Sequence, residues 1–182
     1  MKVKFTVLAA LALLFVFGGA ALADTIKIGA IVSASGPASF LGEPEKNTLN
    51  MLADKINASG GVLGQKIEMI IYDDETDVNK AVLAADKLIK KDRVVAVLGP
   101  TTSGNTLAIL NKFPAAKVPL ISCAAAEKIT TPVNPWVFKV APSDRLSAAN
   151  LLKYAKAKGQ HKIAILTVSD GFGQAGREVL KE

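Results

Sequence analysis

The sequence predicts an α/β fold, a parallel sheet with helices on both faces. Three observations predict it. Short, nearly continuous apolar runs alternate with segments of helical period, as they do where strands buried on both faces are joined by helical crossovers. Stretches rich in glycine, proline and hydroxyl residues punctuate that alternation. The composition, 50% hydrophobic and 21% charged over 182 residues, is that of a globular chain able to bury a core.

Residues 1–23 are set apart from the fold. Lys2 and Lys4 make a basic start, Phe5 to Phe17 an apolar run, Gly18-Gly19 a break, and Ala21-Leu22-Ala23 fits the small-x-small cleavage rule. A signal peptide cut after Ala23 is expected. The alternative is an uncleaved membrane anchor, which the paired glycines and the Ala-x-Ala disfavour. A lipoprotein needs cysteine at the first mature position, where Asp24 stands.

Ile26 to Val32 reads as the first strand, followed by a Gly/Pro/Ser loop from Ser33 to Gly42. Leu49, Leu52, Ala53 and Ile56 keep the i, i+3, i+4, i+7 spacing of a helix. Pro44, between Glu43 and Glu45, suits its first turn. Asn57 to Gly64 holds a Gly-Gly stop, and Lys66 to Tyr72 is the second strand. Asp77 or Asp74 suits the cap of the next helix, whose expected inner face is Val78, Val82, Ala85 and Ile89. Val94 to Leu98 is the third strand, Asn105 to Lys112 a helix, Val118 to Ser122 the fourth strand and Trp136 to Val140 the fifth. A helix from Ser143 to Ala157, a strand from Lys162 to Val168 and a helix starting near Gln174 complete the pattern.

Ligands of such sheets sit outside the carboxyl ends of the strands, so the loops after the strands carry the candidate chemistry. Asp73-Asp74-Glu75 with Asp77 reads either as a hard-cation site or as a solvated loop capping a helix. It lacks the alternating ligand spacing of a calcium loop. A single cysteine, Cys123, and a single histidine, His161, exclude an internal disulfide and supply too few ligands for an ordinary transition-metal site, and a Cys/His catalytic pair would require these two to meet. Basic residues are scattered, densest at Lys90, Lys91 and Arg93, and do not interleave with aromatics, so no nucleic acid is expected. Gly171-Phe172-Gly173-Gln174-Ala175-Gly176 matches G-x-G-x-x-G, but the dinucleotide fingerprint occupies a first βα turn and this one does not. The most suggestive loop is Gly99-Pro100-Thr101-Thr102-Ser103-Gly104-Asn105-Thr106. Its hydroxyls and free N–H groups at a helix start suit an anion, and with no P-loop lysine a carboxylate fits better than a triphosphate. Helix capping accounts for one of those hydroxyls, not all.

Ile28-Gly29, Ser35-Gly36-Pro37, Ile56-Asn57-x-x-Gly60-Gly61-Val62-x-Gly64, Tyr72-Asp73-Asp74, Val97-x-Gly99-Pro100, Val118-Pro119-x-Ile121-Ser122 and Ser169-Asp170-Gly171-Phe172-Gly173 follow one another in order. Together they resemble the branched-chain amino acid (Leu/Ile/Val) binding proteins of ABC importers, which are type I periplasmic binding proteins. The resemblance implies two α/β lobes with the ligand between them. It places an N-terminal lobe at 24–141, a crossover near Val140 to Ser143, and the beginning of a second lobe at 142–182. Members run to about twice this length, as two full domains require, so the resemblance implies a truncated chain. Position by position it implies ligand contacts from Ser103 to a carboxylate, with Thr102 beside it. It implies a backbone carbonyl contact from Ala124, an alanine (Ala126) where relatives place a threonine hydroxyl, Leu41 where they place an aromatic, and Phe172 in place of a tyrosine. The expected protein is a periplasmic, non-enzymatic receptor without cofactor, binding an amino acid or another small carboxylate, such as an aromatic acid, and serving a membrane ABC permease. A ligand-sensing regulatory module on the same fold and, from the glycine-rich turn, a dinucleotide-dependent enzyme stand as alternatives.

Overall fold

The computed structural model describes residues 25–182, so the expected signal peptide and its cleavage site lie outside the described residues. Five parallel strands form one sheet. They are β1 (Ile26–Val32), β2 (Ile67–Asp73), β3 (Ala96–Leu98), β4 (Leu120–Ser122) and β5 (Val137–Lys139). The crossovers are α1 (Ser39–Ala58), α2 (Val78–Asp86) continuing into a π-helical stretch Lys87–Asp92, α3 (Ser103–Ile109) with α4 (Lys112–Ala116), and a 3-10 turn Glu127–Ile129. Two helices, α5 (Asp144–Ala157) and α6 (Gly171–Lys181), follow the sheet. None of the described helices is long and apolar enough to cross a membrane.

The strand order β2-β1-β3-β4-β5 reverses direction at β1, which has β2 on one side and β3 on the other. The chain leaving β1 and the chain leaving β3 therefore diverge and open a crevice at their carboxyl ends. Strand β1 pairs with β2 along its whole length, from Ile26 opposite Ile67 to Val32 opposite Asp73. The core lies between the sheet and α2 to α4, built of Ile31, Ala81, Ala84, Ala85, Leu88, Val97, Ile109, Phe113 and Leu120. Gly29 admits it: a Cβ there would stand 2.8 Å from a methyl of Leu88, so glycine in mid-strand is what lets the helix close on the sheet.

Several sequence expectations change. The inner face of α2 is Ala81, Ala84 and Ala85, continued by Leu88 in the π-helical stretch; of the expected stripe Ala85 is buried and Val82 and Ile89 pack against the core, while Val78 is 43% exposed. Small alanines let the helix sit closer than valines would. Asp77, not Asp74, caps α2, accepting from the Lys80 N–H at 3.0 Å. Helix α1 begins at Ser39, inside the expected loop, so Pro44 lies beyond its first turn. Strands β3, β4 and β5 are shorter than their apolar runs, and α3 begins at Ser103, before Asn105, and ends at Ile109. The expected strand Lys162 to Val168 is absent. Strands exist only by pairing, and no neighbouring strand among the described residues meets this segment. Leu166 is 99% exposed, while Ile163 and Ile165 line a shallow trough with Leu151, Leu152 and Leu180. The last helix begins at Gly171 rather than near Gln174, because Asp170 caps it by accepting the Gly173 N–H at 2.8 Å.

Candidate functional site

The carboxyl ends of β1, β2 and β3 are tied by a buried run of hydrogen bonds. Ser33, directly after β1, donates its N–H to Thr101 Oγ1 at 2.9 Å and its hydroxyl to Asp74 Oδ1 at 2.6 Å. Asp74, fully buried after β2, also accepts from the Thr76 N–H at 2.9 Å and from Asn105 Nδ2 at 2.7 Å. Thr101 Oγ1 donates in turn to Glu45 Oε2 of α1 at 2.5 Å. A buried carboxylate is tolerable only when its lone pairs are filled this way. The acidic cluster read from the sequence therefore disperses: Asp74 braces the loops, Asp77 caps α2, and Glu75 pairs with Lys80. Asp73 accepts the N–H groups of Ser35 and Glu75. Burial works to raise the Asp73 pKa, but those hydrogen bonds outweigh it and hold the carboxyl below its usual range. Among the described residues no cluster of His, Cys, Asp or Glu is placed to hold a metal ion.

The brace accounts for much of the hydroxyl-rich loop. Thr101 gives its proton to Glu45, and Thr106 gives its own either to the Thr102 carbonyl at 2.9 Å or to Ser122, whose Oγ is 2.8 Å away. Thr102 caps α3, its Oγ1 facing the Asn105 N–H. Ser103 is 2% exposed, and its Oγ accepts the Ala126 N–H at 3.3 Å. No acceptor for the Ser103 hydroxyl proton is found among the described residues. A hydroxyl fixed as acceptor on one side and left with a free proton on the other is set to donate to an incoming oxygen.

The loop after β4 is held around it. The Cys123 N–H donates to the Pro100 carbonyl at 3.1 Å, and the Ala124 N–H donates to Ser122 Oγ at 3.1 Å. Lys139 Nζ, at the end of β5, donates to the carbonyls of Ala125 at 2.8 Å and Ala126 at 3.2 Å. Helix α6 then closes over this group. A Cβ on Gly171 would stand 2.6 Å from Gly104 Cα, so the two helix starts meet backbone to backbone. Ala175 packs with Ala124, Ala126, Ile129 and Val137.

The structure thus brings Ser103, Thr102, Ala124, Ala126 and the first turn of α6, with half-exposed Phe172, to one place. Leu41 shares the same end of the sheet, 47% exposed on α1. Its neighbour Gly42 presses on Ser33, where a Cβ would come 2.2 Å from the carbonyl oxygen. A separate apolar cavity of about 330 Å³ lies between α1 and the ends of β1, β3 and β4, lined by Val32, Pro44, Glu45, Leu98, Ile121 and Cys123. It includes none of the predicted contact residues. Burial, then the Glu45 charge, pushes the Cys123 thiol up to about 12, which keeps it a neutral thiol that reacts slowly. His161 is exposed and stands in no cluster with Cys123.

Glu45 and Lys139 escaped the sequence reading as site residues, and Ser33 and Asn105 entered it only as members of their loops. Ser33 and Asp74 had a signal: each directly follows one of two adjacent parallel strands, so their side chains share one end of the ladder. Glu45 and Lys139 had none, because their partners come from other elements.

Comparison with known proteins gives concordant matches. The family described as periplasmic binding protein matches residues 25–182. The "Leu/Ile/Val-binding protein homolog 7" of Brucella suis is 30% identical over 177 residues, covering 91% of this chain and 44% of its own length. The structure of the branched-chain amino acid transporter substrate binding protein LivJ from Streptococcus pneumoniae, in complex with isoleucine, is similar with a TM-score of 0.70 and 32% identity. That match covers 74% of this chain and 39% of that one. A solute binding protein of an ABC transporter from Rhodopseudomonas palustris BisB5, in complex with 3,4-dihydroxy benzoic acid, has a TM-score of 0.76 and 28% identity, covering 86% and 43%. The chain spans less than half the length of each of these relatives.

Proposed function

The chain belongs to the periplasmic binding protein family, and on that premise we propose that it binds a small carboxylate, a branched-chain amino acid first, and serves an ABC importer. The family consists of binding proteins, not enzymes, and its members act on small molecules outside the cytoplasm. The observation that carries the ligand reading is Ser103: buried, oriented by the Ala126 N–H, and with its own proton unspent. A carboxylate there accepts a charge-assisted hydrogen bond, stronger than one between neutral groups. The Ala124 carbonyl is the proposed acceptor for an ammonium, Thr102 a neighbouring polar contact, and Phe172 with Leu41 the apolar walls.

The start of α6 lies against the backbone of Gly104 and Ser103 at the start of α3. Ligand entry in this reading requires the 142–182 part to swing away from 24–141 about the Val140 to Ser143 connection, the hinge closure by which two-lobed binders trap ligands. Export to the periplasm with cleavage after Ala23 belongs to the same proposal.

A second reading is favoured by Ala126 and Leu41. With no hydroxyl at Ala126 the site offers less to an ammonium, and with an aliphatic at Leu41 it leaves room for a flat ring. The complex of the R. palustris relative with an aromatic acid supports it. A thermal-shift screen of the whole chain against leucine, isoleucine, valine and hydroxybenzoic acids separates the readings. A rise in Tm with the aliphatic set supports the first and with the aromatic set the second. No shift with any carboxylate overturns both.

A further inference from the structure

We propose that Lys139 is a positioning residue of the ligand site, holding the Ala125 and Ala126 carbonyls so that the loop after β4 presents Ala124 and Ala126 in fixed geometry. The ligand part of this inference rests on the carboxylate-binding reading above. Three successive residues of the loop are pinned by three different elements. Ala124 is held through its N–H by Ser122 of β4, Ala126 through its N–H by Ser103 of α3, and the two carbonyls between and after them by Lys139 of β5. The Ala125 carbonyl also accepts the Asp144 N–H at 3.2 Å, at the start of α5. One carbonyl is thus gripped from the sheet and from the first helix of the following unit, so Lys139 ties the ligand loop to the connection about which the two parts move.

Lys139 and Asp144 feel one another's charge from partly desolvated positions. The Asp144 side chain is 9% exposed, and its Oδ2 finds no partner among the described residues. Burial pulls the Lys139 ammonium down and pushes the Asp144 carboxyl up, with their mutual attraction opposing both. A half-buried ammonium that spends two of its protons on consecutive carbonyls does what an apolar side chain of equal length cannot. A plain apolar stem would leave the Ala125 carbonyl with only the Asp144 N–H and the Ala126 carbonyl with only the Ile129 N–H, each at 3.2 Å.

The loop carries its own reporter, because Cys123 opens it and is the only cysteine. The experiment uses the whole chain with Lys139→Met, Lys139→Arg and Lys139→Gln. It follows the rate at which a neutral maleimide labels Cys123 at fixed pH, and the Kd for isoleucine, with circular dichroism and Tm as controls. Lys139→Met is expected to speed labelling at least tenfold and to weaken isoleucine at least tenfold while the fold is kept. Lys139→Arg restores both, since a guanidinium still reaches two carbonyls. Labelling of folded Lys139→Met at the parent rate overturns the proposal, as does an arginine variant no better than methionine. If Lys139→Met fails to fold, Lys139→Gln decides: faster labelling upholds the proposal and an unchanged rate overturns it. If isoleucine does not bind the parent chain, the ligand reading fails for that amino acid, and the labelling rates still decide the role of Lys139.

Discussion

A serine at the first residue of a helix ordinarily turns back on its own backbone. Ser103 does not, because Thr102 already caps α3 and the Ala126 N–H draws the Ser103 oxygen across to the next loop. Removing that hydroxyl removes one hydrogen bond to a charged ligand, worth about 1.5–3 kcal/mol. Ser103→Ala is therefore expected to weaken a carboxylate ligand by about tenfold or more, read by calorimetric titration well below a Tm that itself falls, because the Ala126 N–H loses its acceptor. Glu45 makes a prediction of the opposite kind. Burial raises its pKa, against the hydrogen bonds from Thr101 and Cys123 that lower it. A carboxyl whose folded pKa exceeds its unfolded value destabilises the fold once ionised. Its favourable contribution is complete below the unfolded pKa and is lost as pH rises through the folded one. Glu45→Gln keeps an oxygen for the Thr101 hydroxyl but never ionises. Its Tm should exceed the parent's at pH 7, and the gap should close below about pH 4, where glutamate is protonated in both states. Thermal melts across that range check the sign.

Among elements, the legible ones are those whose signal is local. Strand β1 has the expected bounds because Ile26 to Val32 is an apolar run interrupted only by Lys27 and paired along its whole length. Asp77 caps α2 as a residue before a helical stripe should. Ser103, Ala124, Ala126 and Phe172 were reachable through the family pattern, and the structure gathers them. The brace was not legible, since Ser33, Asp74 and the Thr101 to Asn105 segment follow three different strands and meet only when those strands are in register. Its weight can be measured. Asp74→Ala leaves Ser33, Thr76 and Asn105 without their acceptor, a loss of about 3 kcal/mol or more, to be read from urea denaturation. The segment 162–168 failed for the converse reason. Its sequence is strand-like, but it makes no ladder, so burial and hydrogen bonds do not protect it. Hydrogen exchange should find its amides open within seconds while those of β1 persist. Slow exchange in 162–168 would mean that it pairs with something.

At the scale of the molecule, the sheet reverses its strand order where β1 meets β3, and the candidate contacts collect at the carboxyl side of that reversal. The helices that follow the sheet reach back to the same place, with Arg145 of α5 paired to Glu127 and Lys128 paired to Glu178 of α6. These largely exposed pairs contribute little stability, which is compatible with the closure and opening proposed above. The account's central claim is that a small carboxylate binds between these parts against Ser103. Titrating the isotope-labelled whole chain with isoleucine and with 3,4-dihydroxybenzoate, and following its backbone amides by NMR, tests this most directly. The account predicts saturable shifts at Ser103, Ala124, Ala126 and Phe172 with at least one of the two. Saturable binding that leaves those four amides unmoved, or no binding by either, would contradict it.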